Sequence, residues 1–259
     1  MVRRDAPHRM RLLAAAAALG LFFAASGTAV AQQGSVLLWP VNPVIEADAR
    51  AAALWLENPG KTPITLQIRI FAWAQADGKS TYAPQQAVIG SPPLVTIDPG
   101  AKQLVRLTRL VPPPPAGETA YRIIVDEIPT GTAPASPGAG VNFRMRYSIP
   151  LFILGPDIGS AARSPKALRP MPQLRWRVDH DETGAFLEIR NNGPVHARLV
   201  DAAFVDADGK RADIAPGLLG YVLAASAARW PLPASLTPVG DLVVGVNGSQ
   251  ADAITPAGR

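Results

Sequence analysis

The chain contains no cysteine, which excludes disulfide bonds and cysteine-ligated metal sites as sources of its stability. Histidine is also scarce: only His180 and His196 follow the N-terminal segment, and their spacing is not that of metal ligands. After that segment, no continuous apolar run reaches the roughly 18 residues that a membrane-spanning helix requires. The fold must therefore rest on a hydrophobic core, which 48% hydrophobic residues can build.

The motifs of common enzyme classes are missing as well: there is no G-x-S-x-G, no phosphate loop and no H-E-x-x-H. The polar run 179–182 around His180 precedes Thr183-Gly184 and predicts a solvated hairpin turn rather than a metal or acid–base site. Asp126 and Glu127 are adjacent on a predicted strand, so their carboxylates point to opposite faces and cannot share a substrate. The sequence predicts a protein that is not an enzyme and uses no cofactor or metal.

The N-terminal segment has the features of an export signal. Four arginines between residues 3 and 11 precede an apolar run at 12–25, and Ala29-Val-Ala31 is a cleavage sequence. We therefore expect a signal peptide over 1–31, a mature start at Gln32, and no membrane span after cleavage. The four arginines and Asp5 give this segment +3, which leaves only +2 of the chain's +5. Such a small charge does not indicate nucleic-acid binding.

The 27 prolines and 22 glycines stand mostly between short apolar runs, which favours an all-β fold of short strands. Asp77-Gly78 and Asp208-Gly209 are hairpin-turn signals. We predict an N-terminal immunoglobulin-like domain at 32–155, a linker at 156–172 and a C-terminal β-sandwich domain at 173–259. The predicted strands are 35–40, 44–46, 50–57, 64–73, 91–97, 103–110, 120–128, 141–149, 175–178, 185–189, 197–205, 218–224 and 241–246.

The predicted strand 141–149 has one apolar and one polar face. Its polar side includes Arg144 and Arg146, and its apolar side is formed by Val141, Phe143, Met145, Tyr147 and Ile149. Such a strand is either a core strand or an edge that awaits a partner, and the pattern leaves both open. Its arginines, with Arg106 on another strand, could bind a carboxylate or could simply protect a solvated edge.

Several ordered motifs of the first domain resemble the periplasmic chaperones of chaperone–usher pilus assembly. They span about residues 35–154 and follow each other in the same order as in that family. They are Glu57-Asn58, Gln67-Ile-Arg-Ile-Phe-Ala-Trp73, Ser91-Pro-Pro-Leu-Val-Thr-Ile-Asp-Pro-Gly100, Gln103-Leu-Val-Arg-Leu107, Tyr121-Arg-Ile-Ile-Val-Asp-Glu-Ile-Pro129 and the alternating run that precedes Leu151-Phe152.

The resemblance implies two immunoglobulin-like sandwiches in an L-shaped arrangement and a periplasmic protein that binds, folds and delivers pilus or fimbrial subunits. It implies donor-strand complementation, in which the strand 141–149 completes the subunit's sandwich. The partners it implies are these subunits and an outer-membrane usher. The subunit-binding residues would be Val141, Phe143, Met145, Tyr147 and Ile149.

One departure from the family concerns the two basic residues that usually anchor the subunit's terminal carboxylate. Their positions fall near Asn42 and Pro150, and neither residue carries a positive charge. The pattern resembles the divergent, archaic-type branch of the family. The candidate anchors in this chain are then Arg146, Arg106 and Arg144.

Two other functions are compatible with a secreted sandwich. A pilus component or adhesin should carry a free N-terminal donor segment, but residues 32–39 are short and run directly into a strand. A cell-envelope hydrolase needs a catalytic set that the sequence does not provide. Both are less favoured than the chaperone.

Overall fold

The computed structural model of the chain describes residues 36–129, 144–158 and 170–257. The predicted signal peptide at 1–31 and the predicted subunit-binding residues Val141 and Phe143 lie outside the described residues. Every regular element in the described ranges is a β-strand, and none of these residues forms a helix long and apolar enough to cross a membrane. The all-β prediction is confirmed, with four sheets arranged as two immunoglobulin-like sandwiches.

The first sandwich packs two sheets over one core. One sheet has the order β1-β3-β8-β6, and the other has the order β2-β10-β9-β4-β5 with β7 paired to β4. The strands are β1 (Leu37–Trp39), β2 (Val44–Ile45), β3 (Ala51–Glu57), β4 (Ile64–Ala76), β5 (Lys79–Ala83), β6 (Val88–Ser91), β7 (Leu94–Ile97), β8 (Lys102–Arg109), β9 (Glu118–Ile128) and β10 (Arg146–Leu154).

Alternating apolar residues build this core, as the period-2 pattern predicts. On β9, Tyr121, Ile123 and Val125 are buried, and they meet Val105 and Leu107 of β8 from the opposite sheet. The Asp77-Gly78 turn joins β4 to β5 with positive φ at both residues, because the hairpin reverses there.

The second sandwich is smaller and packs around its own core, which includes Leu187, Ile189, Leu199 and Phe204. One sheet has the order β11-β12-β15 and the other the order β14-β13-β16-β17. The strands are β11 (Leu174–Asp181), β12 (Gly184–Asn191), β13 (Ala197–Val205), β14 (Arg211–Val222), β15 (Ser226–Pro231), β16 (Asp241–Val246) and β17 (Asp252–Ala253).

Several strand predictions were wrong in their bounds, and some strands were missed. The predicted strand 91–97 is split, because Ser91 ends β6 in one sheet and Leu94 begins β7 in the other. The strand predicted at 218–224 begins earlier, at Arg211, and irregular pairing with β13 interrupts its alternation. The strand β5 was missed although Asp77-Gly78 signals a hairpin, because its five residues are all exposed and present no apolar face.

The long strand also differs from its prediction at 141–149. Within the described residues, Arg144 and Met145 precede the strand, which starts at Arg146 and continues to Leu154. It extends past the predicted end because Leu151 and Ile153 continue the apolar face and are fully buried in the core.

Candidate functional site

One side of β10 is only partly covered by other strands. On its first side, β10 pairs antiparallel with β9 along its whole length, from Arg146↔Asp126 to Leu154↔Glu118. On its second side, the short β2 pairs in parallel with Phe152 and Ile153 alone. Among the described residues, no strand pairs with the second side of β10 from Arg146 to Leu151. We call this stretch the open edge.

Two backbone hydrogen bonds show which groups of β10 face the open edge. The N–H of Glu127 donates to the carbonyl of Met145 at 3.1 Å, and the N–H of Phe152 donates to the carbonyl of Pro43 at 3.2 Å. Antiparallel pairing alternates between hydrogen-bonded and non-hydrogen-bonded pairs. The odd-numbered residues of β10 therefore bond to β9, and the backbone groups of the even-numbered residues face the open edge and β2.

The side chains of the odd-numbered residues form one apolar row whose burial decreases toward the start of the strand. Leu151 and Ile153 are fully buried, whereas Ile149 and Tyr147 are partly buried and pack against the same core. The Tyr147 hydroxyl accepts a hydrogen bond from the N–H of Val36 at 2.7 Å. Met145 lies just before the strand and is 39% exposed. Of the predicted subunit-binding residues that are described, only Met145 is substantially exposed.

The even-numbered side of β10 starts with a charged cluster on the outer face of the sheet. Asp126 of β9 accepts hydrogen bonds from Arg146 of β10 and, at 2.6 Å, from Arg69 of β4. Burial alone would raise the pKa of Asp126, but the hydrogen bonds from Arg146 and Arg69 outweigh it and hold the pKa below its ordinary value. The cluster joins the start of β10 to two neighbouring strands of the sheet.

The structure separates the three predicted carboxylate anchors. Arg106 is exposed on β8 between the buried Val105 and Leu107, so it lies on the outer face of the other sheet from Arg146. Arg144 is exposed and precedes β10, two residues from Arg146. Arg106 and Arg146 therefore cannot hold the same carboxylate, whereas Arg144 and Arg146 are near neighbours.

The two usual anchor positions differ in their surroundings. Asn42 is exposed and lies two residues before Val44, which pairs with Phe152. Pro150 is buried within β10, opposite Arg122. The guanidinium of Arg122 lies over the ring of Trp73, with its Cζ atom 3.7 Å from the ring centroid. Burial lowers the pKa of Arg122, and nearby Tyr82 and Tyr221 partly offset this effect.

The second predicted site, the polar run around His180, lies where β11 turns into β12. β11 ends at Asp181 and β12 begins at Gly184, so the turn predicted at 179–182 is shorter: Asp179, His180 and Asp181 end β11, and only Glu182 and Thr183 form the hairpin turn. Asp181 accepts hydrogen bonds from both the backbone N–H and the hydroxyl of Thr183. In the part of the chain that the structure describes, no group of three or more His, Cys, Asp or Glu residues could hold a metal ion.

Sequence reasoning missed a cluster in which the two sandwiches meet. The His196 ring stacks on Phe152 of β10 with centroids 3.5 Å apart, and its Nδ1 lies 2.9 Å from Oε2 of Glu118. Phe152 is fully buried, and the Glu118 side chain is 2% exposed. The cluster therefore attaches the end of β10 to the second sandwich. No short-range sequence signal could have revealed it, because its residues come from distant parts of the chain.

Two side-chain hydrogen bonds strengthen this contact. The Gln75 amide donates to the carbonyl of Tyr221 at 2.8 Å, and its oxygen accepts from the N–H of Leu223 at 2.9 Å. One side chain of the first sandwich thus bonds two backbone groups of the second, much as a neighbouring strand would.

Comparisons with known proteins agree with this architecture. A family model described as "Pili and flagellar-assembly chaperone, PapD N-terminal domain" matches residues 38–157. A chain from the CsuC–CsuE chaperone–tip adhesion subunit pre-assembly complex, from the archaic Csu pili of Acinetobacter baumannii, is 35% identical. That match covers 86% of this chain and 100% of that chain, with a TM-score of 0.66.

More distant solved structures share the fold. A chain from the Salmonella enterica SafA pilin–SafB chaperone complex is 21% identical over 84% of this chain and 93% of that chain, with a TM-score of 0.57. The E. coli chaperone DraB is 18% identical over 86% of this chain and 96% of that chain, with a TM-score of 0.55. No curated protein gave a significant match.

Proposed function

Because this chain belongs to the PapD-like family of pilus-assembly chaperones, we propose that it holds pilus subunits on the open edge of β10. It is a chaperone in pilus subunit assembly, and the alternatives of a pilus component, an adhesin or a hydrolase are not favoured. The observation that carries the proposal is an unpaired strand edge beside an apolar row that becomes exposed toward Met145.

The proposed mechanism is strand addition. A subunit strand aligned on the open edge gains main-chain hydrogen bonds from β10, and alternate side chains of the donor segment enter the subunit's core. Met145 is the exposed end of the apolar row, and Val141 and Phe143 continue the same alternation in the sequence. Tyr147 and Ile149 pack against the chaperone's own core, so their part is to hold the strand in place.

Physical magnitudes are consistent with stable yet reversible binding. Each fully buried side chain of this size contributes roughly 1.5–3 kcal/mol. Association and the ordering of interface side chains cost several kcal/mol in return. Transfer of a subunit therefore needs only a better-fitting strand and no nucleotide hydrolysis.

Replacement of Phe143 and Met145 by Asp tests this proposal. The CsuE subunit serves as the probe, because the chaperone chain that is 35% identical to this one comes from a complex with it. We expect the full chain to retain co-expressed CsuE in a pull-down and the double variant to lose it while keeping its thermal unfolding midpoint. Met171→Asp is the matched control, since Met171 is 62% exposed and distant in sequence from β10. Equal retention by the double variant would contradict a donor role for this segment.

We also propose that Arg144 and Arg146 bind a carboxylate of the subunit, in place of the usual anchors at Asn42 and Pro150. Both precede or begin β10, and the cluster around Asp126 has two guanidiniums for one carboxylate. Arg144→Gln with Arg146→Gln should weaken CsuE retention. Arg106→Gln is the control on the other sheet, and an equal loss there would refute the assignment.

The proposal extends to a periplasmic location and to transfer of the loaded complex to an outer-membrane usher. The outer face of the other sheet supports a second partner, because Trp39 stacks on Trp55 at 6.3 Å and Trp55 is 36% exposed. Trp55 lies on β3, which belongs to the other sheet from β10. Trp55→Ser should reduce delivery to usher-containing membranes without changing CsuE retention.

A further inference from the structure

Pro150 lies in the middle of β10, where a proline would normally interrupt a sheet. It pairs with Arg122 of β9 in a non-hydrogen-bonded position, because the bonded positions are the odd-numbered residues. Pro150 therefore costs β10 no bond to β9. The backbone donor that it removes is one that would have faced the open edge.

The donors that remain on the open edge can then be identified residue by residue. The N–H of Phe152 is already bonded to the Pro43 carbonyl at 3.2 Å. Pro150 has no N–H, and the N–H groups of Ile149 and Leu151 face β9. Within β10, this leaves Arg146 and Ser148 as the residues whose N–H groups can bond to an added strand.

We propose that Pro150 ends the series of backbone donors that β10 offers to a bound subunit strand, so that Ser148 donates the last hydrogen bond and fixes the register. The inference rests on the proposed function, namely strand addition at the open edge. A subunit strand shifted further along would bury a carbonyl opposite Pro150 without a donor, which is unfavourable. A parallel and an antiparallel subunit strand are affected alike, because both need the N–H groups of the even-numbered residues of β10.

The decisive variant restores the missing donor. In the wild-type complex with CsuE, the amides of Arg146 and Ser148 should become protected from hydrogen exchange on binding, while that of Phe152 is protected in both states. Pro150→Ala adds an amide that should become protected in the complex. One further backbone hydrogen bond should slow dissociation of CsuE by about two- to tenfold. An unprotected Ala amide together with an unchanged dissociation rate overturns the proposal.

A second variant covers the possibility that Pro150→Ala disturbs folding. Ser148→Pro removes the last donor in the same non-bonded position that β10 already tolerates at residue 150. Compared with Ser148→Ala, which keeps the N–H, it should speed CsuE dissociation by about two- to tenfold. Equal rates for the two Ser148 variants overturn the proposal.

Different outcomes refute the role of Pro150 and strand addition itself. If CsuE retention responds to Phe143→Asp with Met145→Asp but to none of the variants at residues 148 and 150, strand addition stands and the role of Pro150 is refuted. If retention responds to neither group of variants, the proposed function itself is refuted.

Discussion

The charged cluster at the start of β10 yields a prediction with a defined size and pH dependence. Asp126→Asn removes the charge that binds Arg69 and Arg146 but keeps the shape of the side chain. The Asp126 side chain is 12% exposed, whereas those of Arg69 and Arg146 are 42% and 67% exposed. The guanidiniums can therefore be rehydrated, and the loss should be smaller than the roughly 3–5 kcal/mol for breaking a fully buried pair.

We expect Asp126→Asn to lower the free energy of unfolding by about 1–3 kcal/mol at pH 7. Urea unfolding of the full chain, followed by tryptophan fluorescence, measures this difference. Asp98→Asn is the matched control, because Asp98 is exposed in the turn before β8 and should change the free energy by less than about 0.5 kcal/mol.

The pH dependence gives an independent check. The folded-state pKa of Asp126 is depressed, so the unfolded chain binds the proton more readily than the folded chain does. The stabilisation is therefore complete above the ordinary aspartate pKa of about 3.9 and is lost as the pH falls through the lower folded-state pKa. The difference between wild type and Asp126→Asn should shrink toward zero in acid. A difference that stays constant from pH 7 to about pH 2 would refute the account of the cluster.

Three further outcomes follow from the contacts between the sandwiches. Phe152→Ala should lower the free energy of unfolding by about 3–5 kcal/mol in urea titrations, because the ring is fully buried against His196. A loss below about 1 kcal/mol would contradict the packing of Phe152 between the sandwiches. Gln75→Ala removes two hydrogen bonds between the sandwiches and should cost about 1–3 kcal/mol. Gln75→Glu should cost at least as much, because it replaces the amide donor with a carboxylate oxygen that faces the Tyr221 carbonyl; a smaller loss for Gln75→Glu would argue against the paired geometry. Gly78→Ala should destabilise the chain by more than about 1 kcal/mol in the same assay, since residue 78 has a φ of 76° and the added methyl would collide with Arg229; an unchanged stability would contradict that contact.

The parts of the fold that sequence predicts are those in which each strand buries one face. Tyr121, Ile123 and Val125 alternate with polar residues, so both the strand β9 and its core face are readable from the sequence. β5 pairs with β4 at the edge of the sheet, and the Asp77-Gly78 turn predicts this hairpin, but the five exposed residues of β5 leave no apolar period from which to predict the strand itself.

The candidate site, too, is predictable from the sequence only in part. Alternation along 141–149 predicts a donor segment, but it does not show which residues turn inward on the chaperone's own core. Tyr147 and Ile149 pack against that core, whereas Met145, whose carbonyl also bonds to β9, is 39% exposed. Likewise, the pairing of Arg146 with Asp126 depends on the β9–β10 register, which a single sequence does not specify. The alternation of apolar and polar residues predicts on which face of the sheet a side chain lies. The residue that it pairs with depends on the strand register.

An exposed apolar row beside an unpaired edge is a risk as well as a binding device, because such an edge can pair with other chains. In the proposed complex, the gradient along β10 from fully buried Ile153 to 39% exposed Met145 would let a subunit core continue the chaperone's own core. The same stretch carries Arg144, Arg146 and Pro150, which are the residue types that discourage edge-to-edge pairing. Arg144 and Arg146 place charge at one end of the open edge, and Pro150 lacks a backbone N–H at the other end. An added strand can therefore form only a few hydrogen bonds with β10. A subunit that also offers a hydrophobic groove gains more than these bonds alone provide, whereas a second copy of the chaperone gains only those few hydrogen bonds. The restricted edge therefore favours an incomplete sandwich over self-association.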